Sequence, residues 1–308
     1  REPTRNTQHF AMPETKTIVV FGATGAQGGS VVDALLKTGA FDVRGVTRNT
    51  DSEKAQALAK KGVSLHKADM ATGEGVEEAF TGAYGAFLLT NFWDPNTMNK
   101  EAEQGKALVD AAKKAGVVHV MFSALANVKD ISKGKYDVPH FTDKAIVSEY
   151  AEKQGFKYYT RVEAAFYFQN WQYFFPPKEN EDGVMVFTVP KSSSVTAYDV
   201  RDTGAYVAKA FMDPESFNNE TLRYFGHHGD LQYFVDTFEK VTGKKSKLVQ
   251  MDHDAYSKLF EGAHELAQMF GWFDEFNYYG SNITAEDLKD APKFTSWEEF
   301  LRETGWSG

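Results

Sequence analysis

Cysteine is absent from the 308 residues of the chain, so disulfides, thiolate metal ligands and cysteine nucleophiles are excluded. No apolar run approaches the ~20 residues that a membrane-spanning helix needs, and residues 1–16 contain no apolar core of the kind found in secretion signals. These absences predict a cytoplasmic protein that does not bind membranes, and they leave presence in the nucleus open. Met12 is a candidate native start, in which case residues 1–11 are an added or disordered arm.

Blocks of basic residues are also missing, and the formal net charge is -9 at pH 7. An acidic chain without a basic patch is a poor partner for nucleic-acid phosphates, so no direct binding to DNA or RNA is expected. The pair His227-His228 has no companion ligand at metal-binding spacing, so no metal site is expected either. Small ligands and protein partners are the classes that remain.

Short apolar segments alternate with longer amphipathic segments through the first half of the chain. Strands this apolar, separated by helices, indicate a parallel sheet that is covered by helices on both faces. This is the doubly wound α/β architecture, the Rossmann fold. The predicted strands are 18–21, 43–46, 63–66, 86–89, 117–122 and 158–162.

The regular alternation stops near residue 163. Residues 164–183 are rich in aromatic and then in turn-forming residues, residues 183–190 are typical of a strand, and residues 197–212 are typical of a helix with an acidic start. We expect a Rossmann domain over 13–163 and a smaller mixed α/β C-terminal domain over 164–308. The chain can cross back to the first domain near 188–212.

Three glycines, Gly22-x-x-Gly25-x-x-Gly28, lie between the first predicted strand and the first predicted helix. In that context the first glycine permits a tight turn, the second lets a pyrophosphate approach the backbone, and the third lets the helix pack closely on the strand. The helix N-terminus offers N–H groups to the phosphates, and Thr24 and Gln27 can add hydrogen bonds. The pattern predicts a dinucleotide site.

The second predicted strand ends at Arg48, where NAD-selective sites usually carry an acidic residue for the ribose 2′-hydroxyl. Arg48 is followed by Asn49 and Ser52. A guanidinium suits a phosphate dianion, so the sequence predicts NADP. The alternative, that Arg48 is an ordinary surface cation, stays open.

Other polar residues follow the third, fourth and fifth predicted strands. The carboxyl ends of parallel strands lie at one edge of a sheet, where ligands bind. The residues expected there are Asp69, Met70, Thr90, Asn91, Phe92 and Ser123.

Five segments together resemble one family: VVFGATGAQGGSV, VTRN, LLTNFWD, HFTDKAIVSEY and FYFQNW. They are similar to the NmrA-like family of atypical short-chain dehydrogenases/reductases, and the resemblance, which is to the redox-sensor type, extends over nearly the whole chain. It implies a regulator that senses NADP(H) and binds a protein partner. The NADP contacts that it implies are Gly22, Thr24, Gly25, Ala26, Gln27, Arg48, Asn49, Thr90, Asn91, Lys144, Tyr167, Phe168 and Asn170.

Two positions depart from the pattern of that family. Glu103 stands where the family type has a lysine, and Gln169 replaces an acidic residue. A cofactor contact from residue 103 is therefore not expected.

A short-chain reductase normally uses Tyr-x-x-x-Lys on one helical face, with a serine after the fifth strand. This chain has Ser123 and Lys144, but His140 occupies the tyrosine position. Tyr136 lies eight residues before Lys144, with Pro139 between, and cannot simply substitute. Either His140 packs or starts the helix and no hydride is delivered, or His140 donates the proton when a quinone or enone is reduced.

The main hypothesis is an NADP(H)-binding regulator that couples the NADPH/NADP balance to a protein partner. One alternative is an NADPH-dependent reductase of a quinone or another aromatic substrate. A second is an interaction scaffold with a vestigial nucleotide site. The aromatic residues of 166–175 can form either a domain core or a substrate pocket, and a homodimer remains open.

Overall fold

The structure is a computed structural model that describes residues 15–94 and 100–308. Met12 and residues 1–11 lie outside the described residues, so the expectation about the native start stays an expectation.

Strands and helices alternate regularly up to residue 163 and less regularly beyond it. The strands are β1 (Lys16–Phe21), β2 (Phe41–Thr47), β3 (Ser64–Lys67), β4 (Gly85–Leu88), β5 (His119–Ala124), β6 (Tyr158–Glu163), β7 (Phe166–Tyr167), β8 (Lys178–Glu179), β9 (Met185–Pro190), β10 (Val195–Tyr198), β11 (Thr221–Arg223), β12 (His227–Gly229) and β13 (Ser246–Met251).

The helices cover both faces of the first six strands and much of the C-terminal half. They are α1 (Ala26–Thr38), α2 (Glu53–Lys60), α3 (Val76–Ala79), α4 (Glu101–Lys114), α5 (Val128–Ile131), α6 (Pro139–Glu152), α7 (Asn170–Tyr173), α8 (Thr203–Met212), α9 (Gln232–Thr242), α10 (His253–Tyr256), α11 (Ala263–Phe276) and α12 (Trp297–Thr304). Among the described residues, no helix combines the length and the apolar character that crossing a membrane requires.

The large sheet has seven strands in the order β11-β6-β5-β4-β1-β2-β3, and every neighbouring pair is parallel. The strand order reverses between β1 and β4, which is the place where doubly wound sheets bind ligands. The predicted doubly wound α/β fold is therefore confirmed, and each of the six predicted strands overlaps an observed one.

Strand β1 is buried on both faces of the sheet. Its side chains point alternately to opposite sides, and each side meets a different core. Ile18 and Val20 pack into one core, together with Val31 and Val32 of α1. Val19 and Phe21 pack into a second core on the other side of the sheet. Helices on both faces thus follow from a strand whose last four residues, 18–21, are all apolar and buried.

The C-terminal half builds two small sheets, in the orders β12-β10-β7 and β13-β9-β8. It also returns to the large sheet, since β11 pairs with β6 and α8 packs on α1. That packing requires Gly204, because a Cβ there would overlap the backbone of Ser30. The predicted range for crossing back, 188–212, contains α8 and not β11. The division at 163/164 stays a prediction.

The helix predicted over 197–212 is wrong at its beginning. Val195–Tyr198 is a buried strand, and α8 begins only at Thr203. Tertiary pairing of this segment with β7 and β12 overrides its helical pattern.

Candidate functional site

A cleft of about 510 Å³ lies at the carboxyl ends of the central strands and extends to the C-terminal half. Most of the predicted site residues line it, although they come from segments far apart in the chain. The predicted residues on its wall are Gly22, Thr24, Gly25, Ala26, Gln27, Gly28, Arg48, Asp69, Met70, Thr90, Asn91, Phe92, Ser123, His140, Lys144, Tyr167 and Asn170.

The glycine turn has the backbone geometry that its spacing predicts. Gly22 adopts a left-handed conformation with φ of 64°, which favours glycine, and its carbonyl accepts the Gly25 N–H at 2.9 Å. A Cβ on Gly28 would lie 2.6 Å from the carbonyl carbon of Gly22 and 2.9 Å from the Phe21 oxygen. Helix α1 can therefore pack directly over the turn only because residue 28 has no side chain.

The start of α1 leaves hydrogen-bond donors at the cleft. Within the described part of the chain, no side chain caps this helix. Gln27 is buried, and its Oε1 accepts a hydrogen bond from Ser123 Oγ at 2.9 Å. Its Nε2 is buried on the cleft wall without a partner among the described residues. Such a donor fits the oxygen-rich pyrophosphate of a dinucleotide.

Lys144 is held at the centre of the cleft by the end of β4 and the start of α4. Its Nζ donates to the Thr90 carbonyl at 2.7 Å and to Thr90 Oγ1 at 3.0 Å. It also forms an ion pair with Glu101, whose side chain is 1% exposed. No sequence pattern points to Glu101, whereas Glu103, which departs from the family pattern, is exposed on α4. The pair and the two bonds to Thr90 fix the position of the Lys144 ammonium on the cleft wall.

Arg48 lies on the cleft wall with its side chain 60% exposed, and its Nη1 donates to Asp94 Oδ2 at 2.5 Å. Asp94 is only 12% exposed, and no sequence pattern marks it as a site residue. The guanidinium is thus available at the predicted 2′-phosphate position, but an anion already contacts it. A phosphate there would compete with the Asp94 carboxylate.

Three predicted contacts do not line the cleft. Ser52 is the N-cap of α2, where its Oγ accepts the Ala55 N–H, and Asn49 Oδ1 accepts the Asp51 N–H at 2.9 Å. Phe168 is fully buried and packs against Trp297 and other aromatic rings of the C-terminal half. The structure does not bring these three side chains to the site.

His140 lies at the start of α6, in the tyrosine position of the Tyr-x-x-x-Lys pattern. Its backbone N–H and its ring Nδ1 both contact Oε1 of Glu265, at 2.9 and 2.5 Å. The side chains of His140 and Glu265 are 11% and 15% exposed. The ring also packs against Phe92 and Trp93, with centroids 5.7 and 5.3 Å apart.

Aromatic and aliphatic side chains of the C-terminal half form a further part of the cleft wall. Burial raises the pKa of Tyr167 to about 12 and holds that of Tyr278 well above its usual value, so both rings stay neutral near pH 7. Tyr136 is not on this wall, and its hydroxyl donates to Glu275. The wall consists of Phe166, Tyr167, Phe174, Phe175, Leu266, Met269 and Tyr278.

Metal ligands are not clustered in the described part of the chain, where no three His, Asp or Glu side chains are placed to hold an ion. His227 stacks on Tyr233 with ring centroids 4.0 Å apart, and His228 Nδ1 is within 2.8 Å of Thr196 Oγ1. His227 thus packs against α9, and His228 forms a hydrogen bond within the small sheet.

Comparison with known proteins matches the model of the NmrA-like family to residues 14–301. The chain belongs to the NmrA-like family. The resemblance to this family is therefore confirmed. Among relatives of the family, the chain is 34% identical to the NmrA-like family domain-containing oxidoreductase FrzB of Cladobotryum sp. over 253 residues, which are 76% of this chain and 75% of FrzB.

Solved structures of NmrA-like fold superpose on most of the chain. NmrA, described as a negative transcriptional regulator and crystallised with NAD, has a TM-score of 0.79 and 21% identity over 94% of this chain and 95% of NmrA. The NADPH-dependent quinone oxidoreductase QOR2 of Escherichia coli, crystallised with NADPH, has a TM-score of 0.76 and 20% identity over 94% and 100%. At these identities the likeness establishes a common fold.

Proposed function

We propose that this NmrA-like protein is an NAD(P)H-dependent reductase of conjugated aromatic acceptors, with quinones as the main class. One observation carries the proposal: a single cleft is lined both by the glycine turn and by aromatic side chains with a buried histidine. The glycine turn suits a dinucleotide, and the aromatic lining suits a planar apolar ring. The oxidoreductase names of FrzB and QOR2 support the same class of reaction.

The cofactor that we propose is NADP(H). The turn at Gly22 and Gly25 receives the pyrophosphate, Gln27 Nε2 donates to it, and Lys144 binds the ribose. Arg48 favours a 2′-phosphate, since its guanidinium lies on the wall of the same cleft. Because Asp94 competes for that guanidinium, we expect NADP to be preferred over NAD by only about tenfold, which corresponds to ~1.4 kcal/mol.

In the proposed mechanism the bound cofactor supplies the hydride. Lys144 keeps the ribose in place through its fixed position at Thr90 and Glu101. The aromatic wall orients the acceptor ring and excludes water from it. His140 delivers a proton to the reduced acceptor oxygen, and solvent returns that proton afterwards. Serine and lysine thus keep the positions of the short-chain pattern, while the histidine replaces the tyrosine.

Calorimetric titration with NADPH, NADP, NADH and NAD, followed by NADPH oxidation with menadione, tests this function. We expect saturable turnover that is lost in Gly25→Val, where a branched side chain would occupy the pyrophosphate position. Circular dichroism and a cooperative melt establish that this variant folds. Failure of NADPH to bind would contradict the dinucleotide site, and binding without turnover would contradict the reductase.

The second candidate function is an NADP(H)-responsive regulator that acts on a protein partner. Two ion pairs around the cleft, Arg48–Asp94 and Lys144–Glu101, involve the cations that a nucleotide would contact. A bound nucleotide would replace Asp94 and Glu101 as the partners of these cations and so shift the segments that carry the two carboxylates. A sensor requires a ligand-dependent change of this kind. This candidate would be favoured if hydrogen exchange at β4 and α4 differed between the NADP and NADPH complexes while the protein reduced no acceptor.

A further inference from the structure

Glu265 is the acidic side chain that meets His140, and it comes from a distant part of the chain. It lies in the first turn of α11, whereas His140 lies at the start of α6. One carboxylate oxygen accepts both the backbone N–H and the ring Nδ1–H of His140. Two contacts to one oxygen fix both the position and the rotation of the imidazole ring.

This arrangement decides which ring nitrogen can take part in chemistry. A proton shared with a carboxylate at Nδ1 leaves Nε2 as the nitrogen that exchanges a proton with a ligand. The ring lies on the cleft wall beside Phe92 and Trp93. Leu266, which follows Glu265 directly, lines the same cleft. The helix that supplies the carboxylate therefore also shapes the acceptor pocket.

We propose that Glu265 is the positioning residue that makes His140 the proton donor of the cleft, an inference that rests on the proposed reductase function. In quinone reduction the C–H bond at nicotinamide C4 breaks and its electron pair moves with the hydrogen to the quinone. NADPH becomes NADP⁺, the proton on His140 Nε2 forms an O–H bond of the hydroquinone, and His140 is left with its proton on Nδ1. A proton from water restores the imidazolium.

Two acceptors separate this role from a purely structural one. Menadione needs both a hydride and a proton, whereas a cationic triarylmethane dye becomes neutral on accepting hydride alone and needs no proton. In Glu265→Gln the amide oxygen still accepts both N–H bonds, but the negative charge is gone. We expect menadione turnover to fall at least tenfold and dye reduction to stay within about twofold.

Glu261→Gln is the matched control, because Glu261 is an exposed carboxylate four residues before Glu265. It should leave both rates unchanged. Equal losses with both acceptors in Glu265→Gln would show that Glu265 only ties α11 to α6. Unchanged rates with both acceptors would also overturn the proposal.

Nitrogen NMR of histidine-labelled protein provides a test that does not depend on turnover. We expect neutral His140 to carry its proton on Nδ1 in the unmodified protein and in Glu265→Gln, and to shift toward the Nε2–H form in Glu265→Ala. An Nε2–H form in the unmodified protein would contradict the role of Glu265. If neither acceptor is reduced although His140 has the Nδ1–H form, the reductase function fails while the orientation by Glu265 stands.

Discussion

Alanine at Gly28 should damage the nucleotide site, whereas alanine at Gly29 should not. A Cβ at residue 28 would overlap the Gly22 carbonyl and lie 2.9 Å from the Phe21 oxygen, and these are backbone atoms that cannot rotate away. Overpacking costs about 1–3 kcal/mol; contacts with fixed backbone atoms place this site at the upper end of that range, from which the ~1 kcal/mol that alanine gains over glycine inside a helix is subtracted. We expect Gly28→Ala to lower the free energy of unfolding by about 2 kcal/mol.

Gly29 provides the matched control one residue further along the same helix. There a Cβ would lie 3.4 Å from the Ala23 oxygen, which is ordinary contact, so Gly29→Ala should be neutral or stabilising by up to ~1 kcal/mol. Urea denaturation measures stability, and calorimetric titration measures NADP affinity, which should fall at least tenfold in Gly28→Ala alone. Equal stability and affinity of the two variants would refute the close packing of α1 on the turn.

The remaining predictions concern charged groups. Arg48→Ala should lower NADP affinity by about tenfold and leave NAD affinity nearly unchanged, while Asp94→Asn should raise NADP affinity because the competing anion is gone; calorimetry measures both. Lys144→Met should destabilise the fold by about 3 kcal/mol, since Glu101 keeps a buried charge without its partner. The double variant Lys144→Met/Glu101→Gln should recover the stability measured by urea denaturation, but it should not recover nucleotide affinity. Burial, and to a smaller extent the charge of Lys16, lowers the pKa of His119 to about 4, whereas its pKa in the unfolded chain is ~6.5. As pH drops from 6.5 to 4 the unfolded chain binds the additional proton first, so the free energy of unfolding should fall by about 3 kcal/mol. Urea titrations should show a smaller fall in His119→Gln.

Much of the fold could be predicted because the first six strands carry their signal locally. Most are short apolar runs followed by a helical pattern, as in β1 and α1, where the helix ends at Gly39 with a φ of 65°. Strand β11 could not be found in this way, because it has three residues and is defined only by its pairing with β6. The start of α8 was wrong because burial between two other strands decides the conformation of residues 195–198.

The candidate site shows the same division between local and tertiary information. Residues of the glycine turn and of the strand ends could be placed because parallel topology brings them to one edge. Asp94, Glu101 and Glu265 could not, because each reaches the site through tertiary packing that leaves no local pattern. The resemblance places both Tyr167 and Phe168 at the cofactor. Neighbouring residues in extended backbone point to opposite sides, however, so only one of them can face the cleft. Tyr167 faces the cleft and Phe168 faces the core.

The central claim is that the cleft holds NADPH in one orientation and passes its hydride to an aromatic acceptor. The most direct measurement is the rate of menadione reduction with NADPH carrying deuterium at either of the two hydrogen positions of nicotinamide C4. We predict a primary isotope effect with one of the two labels and none with the other, because a cofactor fixed at the glycine turn and Lys144 presents a single face. Absence of menadione-dependent oxidation, or equal isotope effects with both labels, would contradict the account.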